Sequence, residues 1–194
     1  GRTSPMASLG WTPREWANAY FRYGSAFEPP TTTELASETG TGFNLELDPQ
    51  VAQSWEIGVK GRVPARQMGL RYELAGYYIA VRDELVPQDT NGLTWFANAG
   101  QTRRSGLELL LELSPLPGLT ASFAYAFGVS KFVEFELAGN DFAGKRVPGI
   151  PDHVLTVDVE WKHSSGVWAA WETRVVSAIE VDNGNTAQAA SYVV

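Results

Sequence analysis

Cysteine is absent from this sequence of 194 residues, which excludes disulfides and thiol-based metal or redox sites. No apolar run approaches the ~18 consecutive residues of a membrane-spanning helix, so a membrane role would be carried by strands. Positive charge is also scarce: 15 Lys and Arg face 22 Asp and Glu, a net charge of -7. Because phosphate binding needs a basic face, we expect no nucleic-acid partner. Residues 1–10 lack a basic start followed by an apolar core, so we expect a mature or cut N-terminus.

Aromatic residues are plentiful, at 12% of the chain with seven Trp. Four tryptophans flank short polar segments: Trp11, Trp16, Trp161 and Trp168. Such amphipathic rings are typical of the girdle at a membrane interface. Core tryptophans in a soluble β-protein explain the composition equally well.

The turn signals alternate strictly between short and long. Short segments at 12–15, 64–67, 114–118 and 163–166 alternate with long ones at 28–50, 86–97, 131–152 and from about 178. Strands that cross a bilayer with all backbone groups paired need tight turns at one rim and can carry long loops at the other. The rhythm predicts an antiparallel transmembrane β-barrel.

Strand length and alternation support this prediction. The segments 15–27, 51–63, 68–84 and 153–163 run 11 to 17 residues, against a usual ~5 to 6 in globular sheets and about 9 to 11 for a bilayer crossing. In 155–162 apolar and polar residues alternate strictly. A soluble antiparallel sheet alternates as well, so length and rhythm together favour the barrel.

Four blocks of sequence resemble TonB-dependent outer-membrane receptors. They are YFRYGSAFEPPT at 20–31 with Glu34 and Leu35, LDPQ at 47–50 with SWEIGVKG at 54–61, NAGQTRRSGLEL at 98–109, and GNDFAGKRVPGIPDH at 139–153. With Tyr77, Tyr78 and the segment 83–85, these blocks extend over about residues 16 to 175. Their order and spacing match the family's pattern.

The resemblance implies a barrel of about 22 strands, preceded by a plug domain and a short box that engages TonB. About eight strands can be counted here, with a ninth beginning at 191–194. We therefore expect residues 1–194 to be part of the barrel domain, from its C-terminal half, with the plug and the final strands absent. The implied location is the outer membrane of a Gram-negative cell, in contact with its lipid.

The function implied by the resemblance is active uptake of a scarce ligand, most often a ferric siderophore, driven by TonB through the missing plug. No cofactor is implied. Anionic, partly aromatic complexes suit arginine pairing and aromatic stacking. The candidate ligand contacts near the outer rim are Trp95, Phe96, Arg104, Phe142, Lys145 and Arg146; ordinary solvated loop residues are the alternative for each.

Other motifs point to no further chemistry. Residues 139–145 spell GxxxxGK, but Arg146 replaces the Ser or Thr that holds magnesium, and Pro148 blocks a following helix. His153 and His163 lie in separate segments, and 182–185 lacks the distal Glu of a calcium loop. With no GxSxG elbow either, we expect no metal site and no enzyme.

Two rival classes stay open at this stage. A passive porin-like or adhesive barrel would share the strands and loops but lack a plug and a TonB box. A soluble β-sandwich or carbohydrate-binding module would alternate in the same way around a single compact core.

Overall fold

The computed structural model describes residues 3–63, 69–90 and 92–194, and these residues form strands, turns and irregular segments. The long strands are β1 (Met6–Arg14), β2 (Ala17–Glu28), β3 (Gln50–Val63), β4 (Gly69–Thr90), β5 (Leu93–Leu116), β6 (Leu119–Glu134), β9 (His153–Lys162) and β10 (Trp168–Val176). Five strands have two residues each: β7 (Glu136–Leu137), β8 (Asn140–Asp141), β11 (Ile179–Glu180), β12 (Gln188–Ala189) and β13 (Tyr192–Val193). Across the described ranges, no helix is long and apolar enough to span a membrane.

Nine strands form one antiparallel sheet in the order β1-β2-β3-β4-β5-β6-β9-β10-β13. Each strand lies beside its neighbour in the chain once the small hairpins β7–β8 and β11–β12 are set aside. The sheet is open, with β1 and β13 at its two edges. These observations confirm the predicted all-β partial barrel of eight to nine strands. They exclude the β-sandwich, because the described strands do not form two packed sheets.

The two faces of the sheet differ in chemistry. On the outward face the register pairs apolar residues such as Leu74 with Leu109, and large side chains stay exposed: Leu107 is 53% and Trp171 57% accessible. On the inner face, Arg22 lies opposite Glu56. Because side chains alternate along every strand, one face suits lipid and the other suits water.

The predicted short turns that fall within the described residues lie at one rim. The first was wrong in detail: β1 continues through Pro13 to Arg14, and the turn is at 15–16. Proline is tolerated there because β1 is an edge strand, with an irregular register between Trp11 and Arg14. The segment 114–118 narrows to a turn at 117–118, since β5 extends to Leu116. The turn after His163 matches its prediction, and 64–67 lies outside the described residues.

The tryptophans beside these turns are exposed. The accessible fractions are 68% for Trp11, 47% for Trp16, 42% for Trp161 and 67% for Trp168. The alternative of core tryptophans is therefore wrong. Exposed rings at a sheet rim fit an interfacial girdle.

The long loop predicted at 86–97 is wrong. Strands β4 and β5 continue as a paired ribbon from Val86 opposite Ala97 to Thr90 opposite Leu93. Pro87 has no backbone N–H to donate to the ladder, yet it lies within this ribbon opposite Phe96. The ribbon ends at the pair of Thr90 and Leu93, next to Gly92, whose φ of 78° favours glycine. β-forming residues such as Thr94 and Trp95 extend the strand where the sequence suggested a loop.

The other long connections are present, and each contains a short stretch of β-structure. Residues 29–49 join β2 to β3 and contain one isolated bridge, from Ala36 to Phe43. The segment predicted at 131–152 begins inside β6, which runs to Glu134, and then holds the β7–β8 hairpin. The loop from about 178 holds the β11–β12 hairpin.

A compact hydrophobic cluster lies where these connections meet. It contains Val86, Phe132, Phe135 and Val147, with Leu137 and Phe142 packed against it. We call it the loop core. The segment 144–147 is held beside β6 by hydrogen bonds from Phe132 N–H to the Lys145 carbonyl (2.9 Å) and from Val147 N–H to the Ser130 carbonyl (3.1 Å).

Candidate functional site at the inner face and the loop end

The middle of the inner face carries a charged concavity. Cross-strand register places Arg22 of β2 opposite Glu56 of β3, and Lys60 of β3 opposite Glu73 of β4. With Tyr20, Glu108 and Thr156 these residues line a concavity of about 600 Å³. The Arg22 and Glu56 side chains approach to 3.9 Å. The inner wall is therefore polar and wet, with both signs of charge.

A second set of charges lies nearer the short-turn rim. Arg71 pairs with Glu73 (2.7 Å) on its own strand and with Glu112 (3.1 Å) on β5. All three side chains are about two-fifths exposed. Solvated pairs of this kind contribute little to stability, because water screens the charges. Their main consequence is a hydrophilic inner surface.

Tyrosine rings cover glycines on this wall. A Cβ added to Gly106 of β5 would lie 2.7 Å from the Tyr77 hydroxyl oxygen, and one added to Gly128 of β6 would lie 2.6 Å from the same atom. The ring of Tyr77 thus spans two neighbouring strands that lack side chains at these positions. Glycine is needed there because any larger residue would displace the ring.

A buried ion cluster marks the transition from wall to loops. Glu84, only 7% exposed, accepts hydrogen bonds from the Thr102 hydroxyl and the Arg104 guanidinium. Asp83 has a φ of 57°, which shifts the alternation of β4 so that Glu84 reaches the same inner side as Thr102 and Arg104. Two charge-assisted partners compensate this carboxylate for its loss of water.

A cavity of about 470 Å³ opens above this cluster. The cavity is lined by residues of the β4–β5 ribbon and of the connections that follow β6 and β10: Glu84, Val86, Gln88, Thr94, Val147 and Asn183. The Asn183 side-chain amide donates to the Gln88 side-chain oxygen at 3.0 Å. We call this space the loop cavity. Its floor is acidic and apolar, and its rim carries neutral amides.

Backbone-directed hydrogen bonds fix the loops around the cavity. The Asn185 side chain accepts from Arg146 N–H (2.7 Å) and donates to the Arg146 carbonyl (3.0 Å). Gly149 N–H donates to the Glu180 carbonyl at 2.9 Å. On the ribbon's other flank, the Asn98 amide donates to the Asp48 carbonyl at 2.9 Å. The loops are thereby tied into one assembly.

Asp182 organises the β11–β12 turn. Its carboxylate accepts from the N–H groups of Thr186 (3.1 Å) and Ala187 (2.8 Å). The hydrogen bond from Thr186 N–H is the largest of several effects that hold the pKa of Asp182 below its ordinary value. The carboxylate of Asp182 therefore serves to hold its own turn together.

The six residues predicted to contact ligand lie in different environments. Trp95 pairs with Gln88 in the ribbon and Phe96 with Pro87, while Arg104 belongs to the buried ion cluster. Phe142 packs on Phe135, with ring centroids 5.4 Å apart. Lys145 is exposed beside β6, and Arg146 forms an ion pair with Asp152. Trp95, Phe96, Arg104 and Arg146 adjoin residues that line the loop cavity. Ligand contact by all six stays a prediction.

Sequence reasoning missed Glu84, Gln88, Thr94 and Asn183. Gln88 and Thr94 fell inside the segment 86–97 that was predicted as a loop, and Asn183 within 182–185, which was considered as an incomplete calcium loop. The contact between Gln88 and Asn183 joins residues 95 positions apart. Nothing in a single sequence signals such a pairing.

The other motifs find ordinary structural roles. His153 accepts or donates a hydrogen bond with the Tyr125 hydroxyl (2.9 Å) and stacks on Phe127. His163 contacts the Ser165 hydroxyl at 2.8 Å in its turn. Within the described ranges, no three His, Asp or Glu side chains gather as metal ligands. The glycines at 139 and 144 have positive φ and serve loop turns.

Comparisons with known proteins agree with this geometry. The family model described as TonB dependent receptor-like, beta-barrel, matches residues 1–194. The siderophore receptor PiuA from Acinetobacter baumannii superposes with a TM-score of 0.74 at 20% identity, over 97% of this chain and 28% of that one. The ferric-catecholate import receptor Fiu from E. coli K12 gives 0.71 at 21%, over 97% and 27%.

A third solved structure is the copper transporter OprC, with a TM-score of 0.71 at 17% identity over 98% of this chain and 30% of that one. At such identities the likeness shows the fold. The chain spans less than a third of the length of each of these three proteins.

Proposed function

The chain belongs to the TonB-dependent receptor family, whose barrel model matches residues 1–194, and we propose that it serves in TonB-driven uptake of a scarce ligand across the outer membrane. The proposed ligand is a ferric siderophore. The family and the matched structures are receptors and transporters rather than enzymes.

The observation that carries this proposal is the arrangement of one open sheet with a lipid-compatible outward face, a charged inner face and a cavity among the loops. A transporter needs all three: an apolar band that meets acyl chains, a hydrophilic interior, and a place where ligand first binds. The short turns then face the periplasm. The loop cavity faces outward, where ligand arrives.

The chemistry around the loop cavity favours a small organic complex. Its volume of about 470 Å³ lies within the usual 300 to 1,000 Å³ of small-molecule sites. Gln88 and Asn183 offer amide donors and acceptors, and Trp95 projects from the same side of the ribbon as its ladder partner Gln88. Arg104, which contacts the cavity-lining Glu84, supplies positive charge for an anionic chelate. Two of the three matched structures are named for siderophore or ferric-catecholate transport.

A growth assay tests the function directly. A deletion strain and its complemented parent are compared on ferric siderophores, cobalamin, copper and sugar sources, each at limiting concentration. We expect a defect confined to one or more ferric siderophores. A defect confined to copper, cobalamin or sugar would overturn the ligand class, and no defect on any source would overturn the transporter.

A paired variant tests the site. In the full-length protein, Gln88→Ala with Asn183→Ala removes the amides that meet across the cavity, and two lost hydrogen bonds of ~1 kcal/mol each should weaken ligand binding roughly 10- to 30-fold. The matched control is Asn140→Ala with Gln188→Ala, which removes the same two side-chain types from exposed positions outside the cavity. Equal affinities in both double variants would exclude the loop cavity as the binding site.

A further inference from the structure

The outward face carries a row of positive charges at its loop end. Arg103 of β5 lies directly opposite Lys131 of β6, and Lys131 is bridged on its other side to Arg146. Directly opposed residues project from the same face and come within about 5 Å at their Cβ atoms. We call Arg103, Lys131 and Arg146 the cation row. Arg82 of β4 is diagonal to Arg103, because Ala80 is the direct partner of Arg103.

These charges are poorly compensated by the protein. Arg146 pairs with Asp152. In the described part of the chain, no carboxylate forms an ion pair with Arg82, Arg103 or Lys131. The nearby Glu134 on this face accepts from the Gln101 side chain at 3.4 Å. Like charges directly opposite each other destabilise a sheet, so the row gains stability when an anion binds.

An apolar groove runs from this row toward the middle of the sheet. It has a volume of about 480 Å³ and is lined by Ile57, Gly76, Tyr78, Leu107, Phe127 and Val129, among others. Val129 lies two residues before Lys131 on β6, which places it about 7 Å below the cation row. Gly76 leaves the groove open because it has no side chain between Ile57 and Leu107.

From this juxtaposition we propose that the outward face holds a binding site for a lipid with phosphate groups on its headgroup. Arg103, Lys131 and Arg82 bind the phosphates, and an acyl chain lies in the groove at Gly76. Arginine and lysine are the usual phosphate partners, and basic residues at a membrane surface each add about fivefold to anionic-lipid affinity. The site lies outside the barrel wall and is separate from the loop cavity.

The test uses the full-length protein purified in detergent and titrated with diphosphorylated lipid A, followed by native mass spectrometry. Arg103→Gln with Lys131→Gln should weaken binding roughly 10- to 100-fold. The matched control, Lys162→Gln with Arg174→Gln, removes two positive charges from strands β9 and β10 at inner-face positions. Unchanged affinity in the first variant, or an equal loss in the control, would overturn the site.

Two further probes separate a lipid site from a general anion site. Lipid A without phosphates should bind to the wild-type protein as weakly as intact lipid A binds to the double variant. Inorganic phosphate at millimolar concentration should fail to displace the intact lipid. If phosphate displaces the lipid fully, the row binds free anions and the lipid proposal fails. Equal binding of the dephosphorylated lipid would also contradict it.

A second variant tests the groove without removing any charge, and its folding is checked separately. Gly76→Leu fills the groove, and the nearest atom to its Cβ is the flexible end of Leu107, at 3.3 Å. We expect a several-fold loss of lipid A binding, with the folded barrel confirmed by its heat-dependent migration on gels. Wild-type affinity in this folded variant would overturn the acyl part of the proposal.

Discussion

The wall of the sheet and its loop end are stabilised in different ways. The described residues bury seven hydrophobic side chains, and all lie at the loop end: Val81, Leu85, Val86, Phe132, Phe135, Val147 and Val176. Halfway along the strands, by contrast, Leu74 is 44% and Leu107 53% exposed. The wall relies on ladder hydrogen bonds and on lipid outside it, whereas the loop end has a core like that of a soluble protein.

This difference bears on function. A wall that is uniform along its strands can vary in sequence on its outward face without losing its ladder. A loop assembly with its own core holds a cavity in a defined shape, which reduces the entropy lost when ligand binds. Under the proposed function, we therefore expect ligand specificity to depend on side chains of the loop end, and membrane anchoring on the wall.

The largest difference in stability between the two regions is expected when a core side chain of the loop end is removed. Phe132→Ala removes a ring that is 1% exposed and should destabilise the loop core by ~3 to 5 kcal/mol. Hydrogen exchange of residues 130–150 should accelerate while the wall keeps its protection. The control is Phe123→Ala on the same strand, where the ring is 36% exposed on the outward face. Comparable effects of the two substitutions would remove the distinction between the regions.

Ion pairs should differ between the regions in the same sense. Glu84→Gln leaves Arg104 without its carboxylate in a buried setting, and we expect a loss of about 2 to 3 kcal/mol in local stability. Glu73→Gln disrupts a solvated pair with Arg71 on the wall and should cost much less, because solvent screens this pair. Denaturant titrations of both variants in the same detergent measure the difference. A wall pair as costly as the buried one would contradict this account.

A smaller effect is expected where one side chain joins two loops. Asn185→Ala removes both hydrogen bonds to the Arg146 backbone and should weaken the loop assembly by roughly 1 to 2 kcal/mol. Limited proteolysis on intact cells should then cut the β10–β13 connection faster. Asn140→Ala, at an exposed loop position, serves as the control and should leave the cutting rate unchanged.

The smallest predicted effect depends on pH. Because the folded state lowers the pKa of Asp182, its contribution to stability is complete above the ordinary carboxyl pKa of about 4 and is lost as pH falls through the lowered value. The protection factors of the Thr186 and Ala187 amides against hydrogen exchange should therefore decrease as the pH falls through the lowered pKa. Asp182→Asn should abolish this pH dependence, and an identical profile in that variant would contradict the assignment.

Much of the wall could be predicted from the sequence. The segments 15–27, 51–63, 68–84 and 153–163 correspond to β2, β3, β4 and β9 because alternation and strand length are local properties. The ninth strand near the C-terminus is present as β13. The ribbon at 86–97 could not be predicted, since Pro87 and the polar residues around it have the composition of a loop while their pairing is set by the opposite strand.

The loop end was the least predictable region. Phe142 and Arg104 are predicted ligand contacts, and ligand contact by either stays a prediction. The sequence did not predict that Phe142 packs in the loop core or that Arg104 binds Glu84. Both positions depend on contacts between distant segments. The reversal of alternation at Asp83, which brings Glu84 inward, has no local sequence signal beyond the tolerance of Asp for positive φ.

The energy dependence of uptake tests the central claim most directly. Uptake of labelled ferric siderophore is measured in the deletion strain carrying the full-length protein, with TonB present, with TonB deleted, and with the proton gradient collapsed. The account predicts accumulation that disappears in both treated samples while surface binding persists. Uptake that continues at the same rate without TonB would contradict it and would favour a passive, porin-like barrel.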